Sequence, residues 1–205
     1  MFDKIKELYS TYEPFNNFTS QKVGSNKYKV YDKFSNKKDA AKLLDKINTN
    51  LLLLLVHLEN KYGNNKIYKY NKFDKNRQDY ISNAVGRLRK NYRPFNIQEN
   101  IPTFLNKDTS YTINKGEVFS LCLRYVDKKE KFHDFNTIMF VALHEFSHLF
   151  TKSYGHNTEF WTNFKFILYE AVDLNLYTPV NYRLHPAKYC GITINYCPMY
   201  DMNLN

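Results

Sequence analysis

The segment from Val141 to Trp161, VALHEFSHLFTKSYGHNTEFW, holds three of the chain's six histidines within thirteen residues. His144 and His148 bracket Glu145 in a His-Glu-x-x-His pattern. Residues four apart on a helix lie on one face, about a turn apart. Two imidazole nitrogens so placed can reach one zinc ion at ~2.0–2.1 Å. Glu145 then faces the cleft without binding metal. In metalloproteases a glutamate so placed takes a proton from the attacking water and later delivers it to the leaving amine. The rival reading is a surface helix whose histidines face solvent. Ile138, Val141 and Ala142 before the motif, and Leu149 and Phe150 after it, argue instead for a largely buried helix. Buried imidazoles and a buried carboxylate need partners, and a metal supplies them.

Two histidines do not complete a catalytic zinc site, so a third protein ligand is required. His156 is the leading candidate, because Gly155 just before it lets the chain turn sharply after the helix. Glu170, on the next predicted helix, is the alternative ligand. Glu159 is nearer, but reads more simply as a first-turn acid favoured by the helix dipole.

Working outward, the apolar residues Ala40, Leu43, Leu44, Ile47, Leu51, Leu54, Leu55 and Leu58 recur at helical spacing between Lys37 and Tyr62. Ser35 or Asn36 is placed to cap that helix, and Gly63 to end it in a left-handed turn. His57 lies inside it and reads as a satisfied boundary histidine. Residues 1–35 are polar, with one short helical candidate at Phe2 to Tyr9. Between Lys66 and Phe95 basic and aromatic residues interleave. Tyr80, Ile81, Ala84, Val85 and Leu88 have helical spacing there, and the aromatics read as core rather than as a base-stacking face. Thr109 to Tyr125 gives two β-rich runs around Gly116, a hairpin. Asn136 or Asp134 is placed to cap the motif helix, and Asn157 or Thr158 the one after it. Beyond Asp173, three prolines predict loops with at most a short strand at GITIN.

The formal charge of +10 is uneven: residues 1–100 hold 20 Lys+Arg against 10 Asp+Glu, and residues 101–205 hold 10 against 10. The excess points to a polyanionic partner such as DNA. Abundant Lys, Asn and Tyr are equally what AT-rich coding sequence produces, as in a large DNA virus or another low-GC genome. The start, MFDKIKELYS, lacks a secretory pattern, and the run Leu51–Leu58 is too short to cross a bilayer. Three cysteines (Cys122, Cys190, Cys197) form no even framework, which favours a reducing compartment. These features predict a soluble intracellular protein of the cytoplasm or nucleus, or one associated with a virion, with no membrane contact. The division expected is a basic, mostly helical region over 1–100 packed on a catalytic region over 101–205, together one compact domain.

FSLCLR, the polar loop after it, LHEFSH and GHNTEFW resemble, in that order, the pattern of WLM-domain (Wss1-like) metallopeptidases, and are similar to SprT-like and YgjP-like families. The resemblance covers roughly residues 109–175. It implies an α+β, zincin-like metallopeptidase domain, helix-rich with a small antiparallel-containing sheet. It also implies Zn2+ held by His144, His148 and His156, with Glu145 as base. WLM and SprT-like members act on proteins crosslinked to or bound on DNA, which gives the basic first half a purpose and implies protein substrates. The seven-residue separation before His156 departs from both families. In the family geometry FSLCLR lies at the cleft edge, where an extended substrate could pair with it. Tyr154, His133 and His185 are candidate oxyanion donors, and a Cys190 thiolate is a conceivable latency ligand for the zinc. The competing function is a non-catalytic zinc-containing protein that binds nucleic acid or another partner.

Overall fold

A computed structural model describes residues 18–63, 75–101, 109–113, 116–125 and 130–204. Among these residues are four α-helices and a mixed five-stranded sheet, an α+β arrangement. The helix expected at Phe2 to Tyr9 lies outside them, as do residues 66–74 of the basic-aromatic segment.

The first described element is a hairpin that the polar composition of residues 1–35 conceals. Strands β1 (Phe18–Val23) and β2 (Asn26–Tyr31) pair antiparallel around Gly24, whose φ is 57°. In β2, Tyr28 and Val30 point inward while Lys27 and Lys29 point out, the period-two signature of a half-buried strand. Helix α1 (Lys37–Tyr62) follows as predicted and buries Ala40, Leu44, Ile47, Leu51, Leu54, Leu55 and Leu58. Asn36 occupies its N-cap position without a side-chain cap. Its amide is used elsewhere, donating to the Glu130 carbonyl (2.7 Å) and accepting from Arg124. Gly63 ends the helix in an extended conformation (φ −69°, ψ 165°), not the left-handed turn expected. Glycine is needed there for space, because a Cβ would sit 2.4 Å from the Glu59 carbonyl oxygen.

Helix α2 (Lys75–Asn91) buries Ile81, Ala84, Val85 and Leu88, as the spacing predicted. Strand β3 (Ile97–Asn100), which the sequence did not announce, runs parallel to both β2 and β5. The predicted hairpin around Gly116 is formed by β4 (Tyr111–Ile113) and β5 (Val118–Cys122). The sheet order is β1-β2-β3-β5-β4. One expectation is therefore corrected: β5, which carries most of FSLCLR, is interior because β3 covers its other side, and among the described residues β4 is the edge strand on this side of the sheet, with β1 at the far edge. A buried ion pair ties the centre of the sheet, with Arg124 Nε 2.5 Å from Glu99 Oε1, both side chains almost fully enclosed.

Helices α3 (Phe135–Phe150) and α4 (Thr158–Asp173) begin on side-chain caps. Asp134 accepts from the Thr137 N–H and Asn157 from the Phe160 N–H, each at 3.0 Å. These contacts satisfy donors that a helix start leaves orphaned. The region after Asp173 is more ordered than its prolines predicted. Strands β6 (Ala187–Tyr189) and β7 (Ile192–Ile194) form a separate two-stranded hairpin. None of the described helices is long and apolar enough to cross a membrane.

Candidate metal centre

Helix α3 is buried along most of its length, yet it presents His144 and His148 at partial exposure to one cleft. The chain leaves the helix at Thr151, turns through Gly155 (φ 77°) and returns His156 to the same place. The three imidazole centroids stand 5.0, 4.9 and 4.9 Å apart, almost an equilateral triangle. Their nearest nitrogens all lie within 4.8 Å of one another, and His144 Nε2 is 2.9 Å from His156 Nε2. Tetrahedral ligands at zinc distances stand about 3.3 Å apart, so a small change of side-chain torsion suffices to admit an ion. Burial, then the neighbouring His148 and His156, hold the His144 pKa well below the usual imidazole value. Burial also lowers that of His156. Neutral imidazole is the form that ligates, so the donor set fits a divalent metal.

Phe160 forms the floor of this triangle. It is fully buried, stacks on His148 at 4.2 Å, and meets His144 and His156 each at 4.8 Å. Trp161 and Phe164 continue the aromatic base beneath His144.

The loop that carries His156 is held by groups remote in sequence. Glu159 accepts the N–H groups of Lys152 (3.3 Å) and Ser153 (3.2 Å) and the Tyr80 hydroxyl (2.6 Å). Desolvation pushes its carboxyl pKa up, but these hydrogen bonds outweigh it and hold the value at about 2. Glu159 is thus a loop anchor and not merely a first-turn acid. Asn163 on α4 donates to Thr151 Oγ1 (3.0 Å) and to the Tyr80 hydroxyl (2.6 Å). From α2, Arg87 Nε and Nη2 donate to the Phe150 carbonyl at 3.3 and 3.2 Å, capping the motif helix. The aromatic and basic residues of α2, which the sequence reads as core and solvated face, therefore include two struts of the site, Tyr80 and Arg87.

The cleft has a volume of about 620 Å³. One wall is the segment Thr109–Thr112, which enters β4; the other is β7 with its flanks, Ile192 to Tyr196. Glu145 lines the floor beside His144 and His148 at 6% exposure. Of the three candidate oxyanion donors, only Tyr154 lines the cleft, and it is highly exposed. His133 is instead buried against Cys190, with Nε2 accepting from the Cys190 N–H at 3.1 Å, and His185 is exposed and outside the lining. Glu170 does not approach the triangle. Its carboxylate is taken by His57 Nε2 (2.8 Å), Lys61 Nζ (3.0 and 2.9 Å) and the Tyr62 hydroxyl (2.5 Å). That places His57 in the satisfied boundary role expected of it. Cys190 is bonded to Cys122 and so offers no thiolate for latency, leaving Cys197 free and buried. The sequence reading missed Tyr189, Tyr196 and Ser110. Tyr189 is buried below the cleft, donates to the Cys122 carbonyl at 2.6 Å and lies 2.9 Å from Ser110 Oγ. The alternation in AKYCGITI, with Cys-Gly as its turn, was the signal that could have found the hairpin that carries it.

A family model for the WLM domain matches residues 109–186, which include the triangle, its loop and the hairpin strand β4–β5. Uncharacterized protein R325 of Acanthamoeba polyphaga mimivirus is 32% identical over 171 residues, covering 83% of this chain and 79% of its own length. Uncharacterized protein 136R of Invertebrate iridescent virus 6 is 36% identical over 92 residues, 43% of this chain and 45% of that protein. Uncharacterized protein 042R of Invertebrate iridescent virus 3 is 39% identical over 70 residues, 34% of this chain and 43% of that protein. No solved structure matches the chain significantly. The chain belongs to the WLM-domain family, and these relatives are viral proteins.

Proposed function

We propose that the chain is a zinc-dependent endopeptidase built on a zincin-like domain. The observation that carries the reading is a triangle of three closely set imidazoles with a glutamate beside it, opening on a cleft bounded by an edge strand. His144, His148 and His156 would hold the ion. Three protein ligands leave a coordination position for water or substrate, whereas structural zinc sites are normally closed by four. A bound Zn2+ supplies a Lewis acid that polarises the scissile carbonyl and makes water acidic near neutral pH. Glu145 Oε takes the proton from the attacking water and passes it to the leaving amine nitrogen. Strand β4, outermost on its side of the sheet among the described residues, offers that edge to an extended peptide, whose backbone would add to the sheet. Phe160 and its aromatic neighbours hold the ligand rings and exclude water from beneath them.

The natural substrates on this reading are proteins bound on or crosslinked to DNA, with the basic first half contacting the nucleic acid. Exposed Lys90 and Arg93 follow one another around the end of α2, and Phe95 beside them is 81% exposed. Cations that meet phosphates and an exposed ring on which a base can stack form a single-strand binding surface.

The deciding experiment compares wild type with Glu145→Gln, both carrying one zinc per chain. Wild type cleaves unfolded or DNA-bound protein and the variant does not. Equal inertness on a broad panel, with zinc bound in both, would remove the enzyme reading and leave the non-catalytic one. Single- and double-stranded DNA added to the same assay test the nucleic-acid contact, whose affinity should fall steeply with salt.

A further inference from the structure

We propose that the Cys122–Cys190 bond is a reducible clamp that holds the β6–β7 wall of the cleft against the sheet. The β6–β7 hairpin belongs to a two-stranded sheet of its own, not to the main one, and an isolated two-stranded hairpin is marginal in water. It is held in place by side chains: the Tyr189 hydroxyl on the Cys122 carbonyl, Tyr196 against Trp161 at 4.9 Å, and the covalent bond from Cys190 to Cys122 in β5. Cys190 and Gly191 form the two-residue turn between Tyr189 and Ile192, with φ of 47° and 87°. That turn favours asparagine, aspartate or glycine at its first position. A cysteine held at positive φ is unfavourable locally, and the bridge gives it a reason to be there.

The surroundings equip the bond for exchange. Cys122 and Cys190 are both buried, so a reductant reaches them only when the hairpin swings out. His133 Nε2 stands 3.3 Å from Cys190 Sγ, where it can share the proton of a released thiol. The reductant is a dithiol. Its first thiolate attacks Cys122 Sγ, the Sγ–Sγ bond breaks, and the electron pair leaves on Cys190. The second thiolate of the reductant attacks the mixed disulfide, expels the Cys122 thiolate and closes the reductant's own disulfide. Two electrons and two protons pass from the dithiol to the protein. Opening frees the strand that lines the cleft opposite β4, so the wall loosens while the histidine triangle, held by α3 and by the loop that Glu159 braces, stays in place. The consequence for peptide hydrolysis rests on the function proposed above; the clamp itself does not.

The test uses the full zinc-loaded chain purified without reductant. Labelling with maleimide after denaturation should mark one cysteine, Cys197, and mark three after treatment with dithiothreitol and desalting. Amide hydrogen exchange over residues 187–196 should quicken on the order of tenfold on reduction, with α3 unchanged. Cys122→Ser/Cys190→Ser should match the reduced protein without any reductant, and the reduced wild type serves if that variant folds poorly. Where hydrolysis is observed, KM should rise several-fold on reduction with little change in kcat. Exchange that is the same in both states overturns the proposal, as do three labelled cysteines in the untreated protein. A zinc retained by His144→Ala/His148→Ala/His156→Ala and lost with Cys122 and Cys190 would also overturn it, making the pair metal ligands. Faster exchange in a chain that never cleaves any substrate supports the clamp and counts against the peptidase.

Discussion

Replacing Phe160 by leucine should weaken metal binding more than it weakens the fold. The ring is fully buried and contacts all three imidazoles at 4.2 to 4.8 Å. Leucine keeps the site apolar and most of its volume, so the cost to the metal-free fold should stay near or below about 1.5 kcal/mol. The three ring pairs are a separate loss, each worth ~0.5–1.5 kcal/mol beyond area burial. Without the metal, side chains that have lost this floor can relax into other rotamers; in the loaded state they cannot. A residual difference of about 1.4 kcal/mol between the two states corresponds to a tenfold weaker affinity, within the roughly 10–100-fold range typical for groups that orient ligands. Zinc competition against a chromogenic chelator gives the affinity, and thermal unfolding of loaded and metal-free protein gives the two stabilities. If affinity stays within about twofold of wild type while both melting temperatures fall equally, Phe160 is ordinary core and the reasoning is refuted.

Glu159→Gln should lower stability at neutral pH by about 1 kcal/mol, since charged acceptors give way to neutral ones on a partly exposed loop. The Glu159 pKa is depressed in the folded protein to about 2 from 4.5. Its contribution is therefore fully present above pH 4.5 and is lost as pH falls from there through the folded value. Denaturant unfolding of metal-free wild type and variant should converge across that window, and a gap that is constant with pH contradicts the assignment. Glu170→Gln should cost about 1–3 kcal/mol by leaving Lys61 and His57 without a carboxylate, yet keep one zinc per chain by metal analysis. Loss of zinc from a variant still folded by circular dichroism would restore Glu170 as a ligand.

What the sequence made legible follows from how local each signal is. The three histidines and Glu145 lie within thirteen residues, so helical spacing and one glycine turn suffice to bring them together. Helices α1 to α4 carry strong 3.6-residue patterns, and α3 and α4 add side-chain caps, so they are legible for the same reason. Strand β3 has four residues and two of its buried side chains are polar, Glu99 and Asn100. Its identity depends on Arg124 across the sheet, a partner no local pattern reveals. The β1–β2 hairpin was hidden because its outward face is lysine-rich. The family resemblance puts FSLCLR at the cleft edge, but β3, which no local pattern announces, covers that side of β5 and leaves β4 outermost there. Glu170 as alternative ligand and Cys190 as latency ligand fall away because ligand chemistry identifies donors, and only packing shows that other partners already occupy them.

The struts described around the histidine triangle set how short a working version of this protein can be. The family model matches residues 109–186 and takes in each candidate ligand. Tyr80 and Arg87, which brace the returning loop and the end of the motif helix, come from outside that span. So do Tyr196, which walls the cleft, and the cysteine bond's flanking turn at Cys190–Gly191. An excised fragment bounded by the family match would carry the coordinating chemistry on a scaffold stripped of its bracing. A minimal version must include α2 and extend past Tyr196.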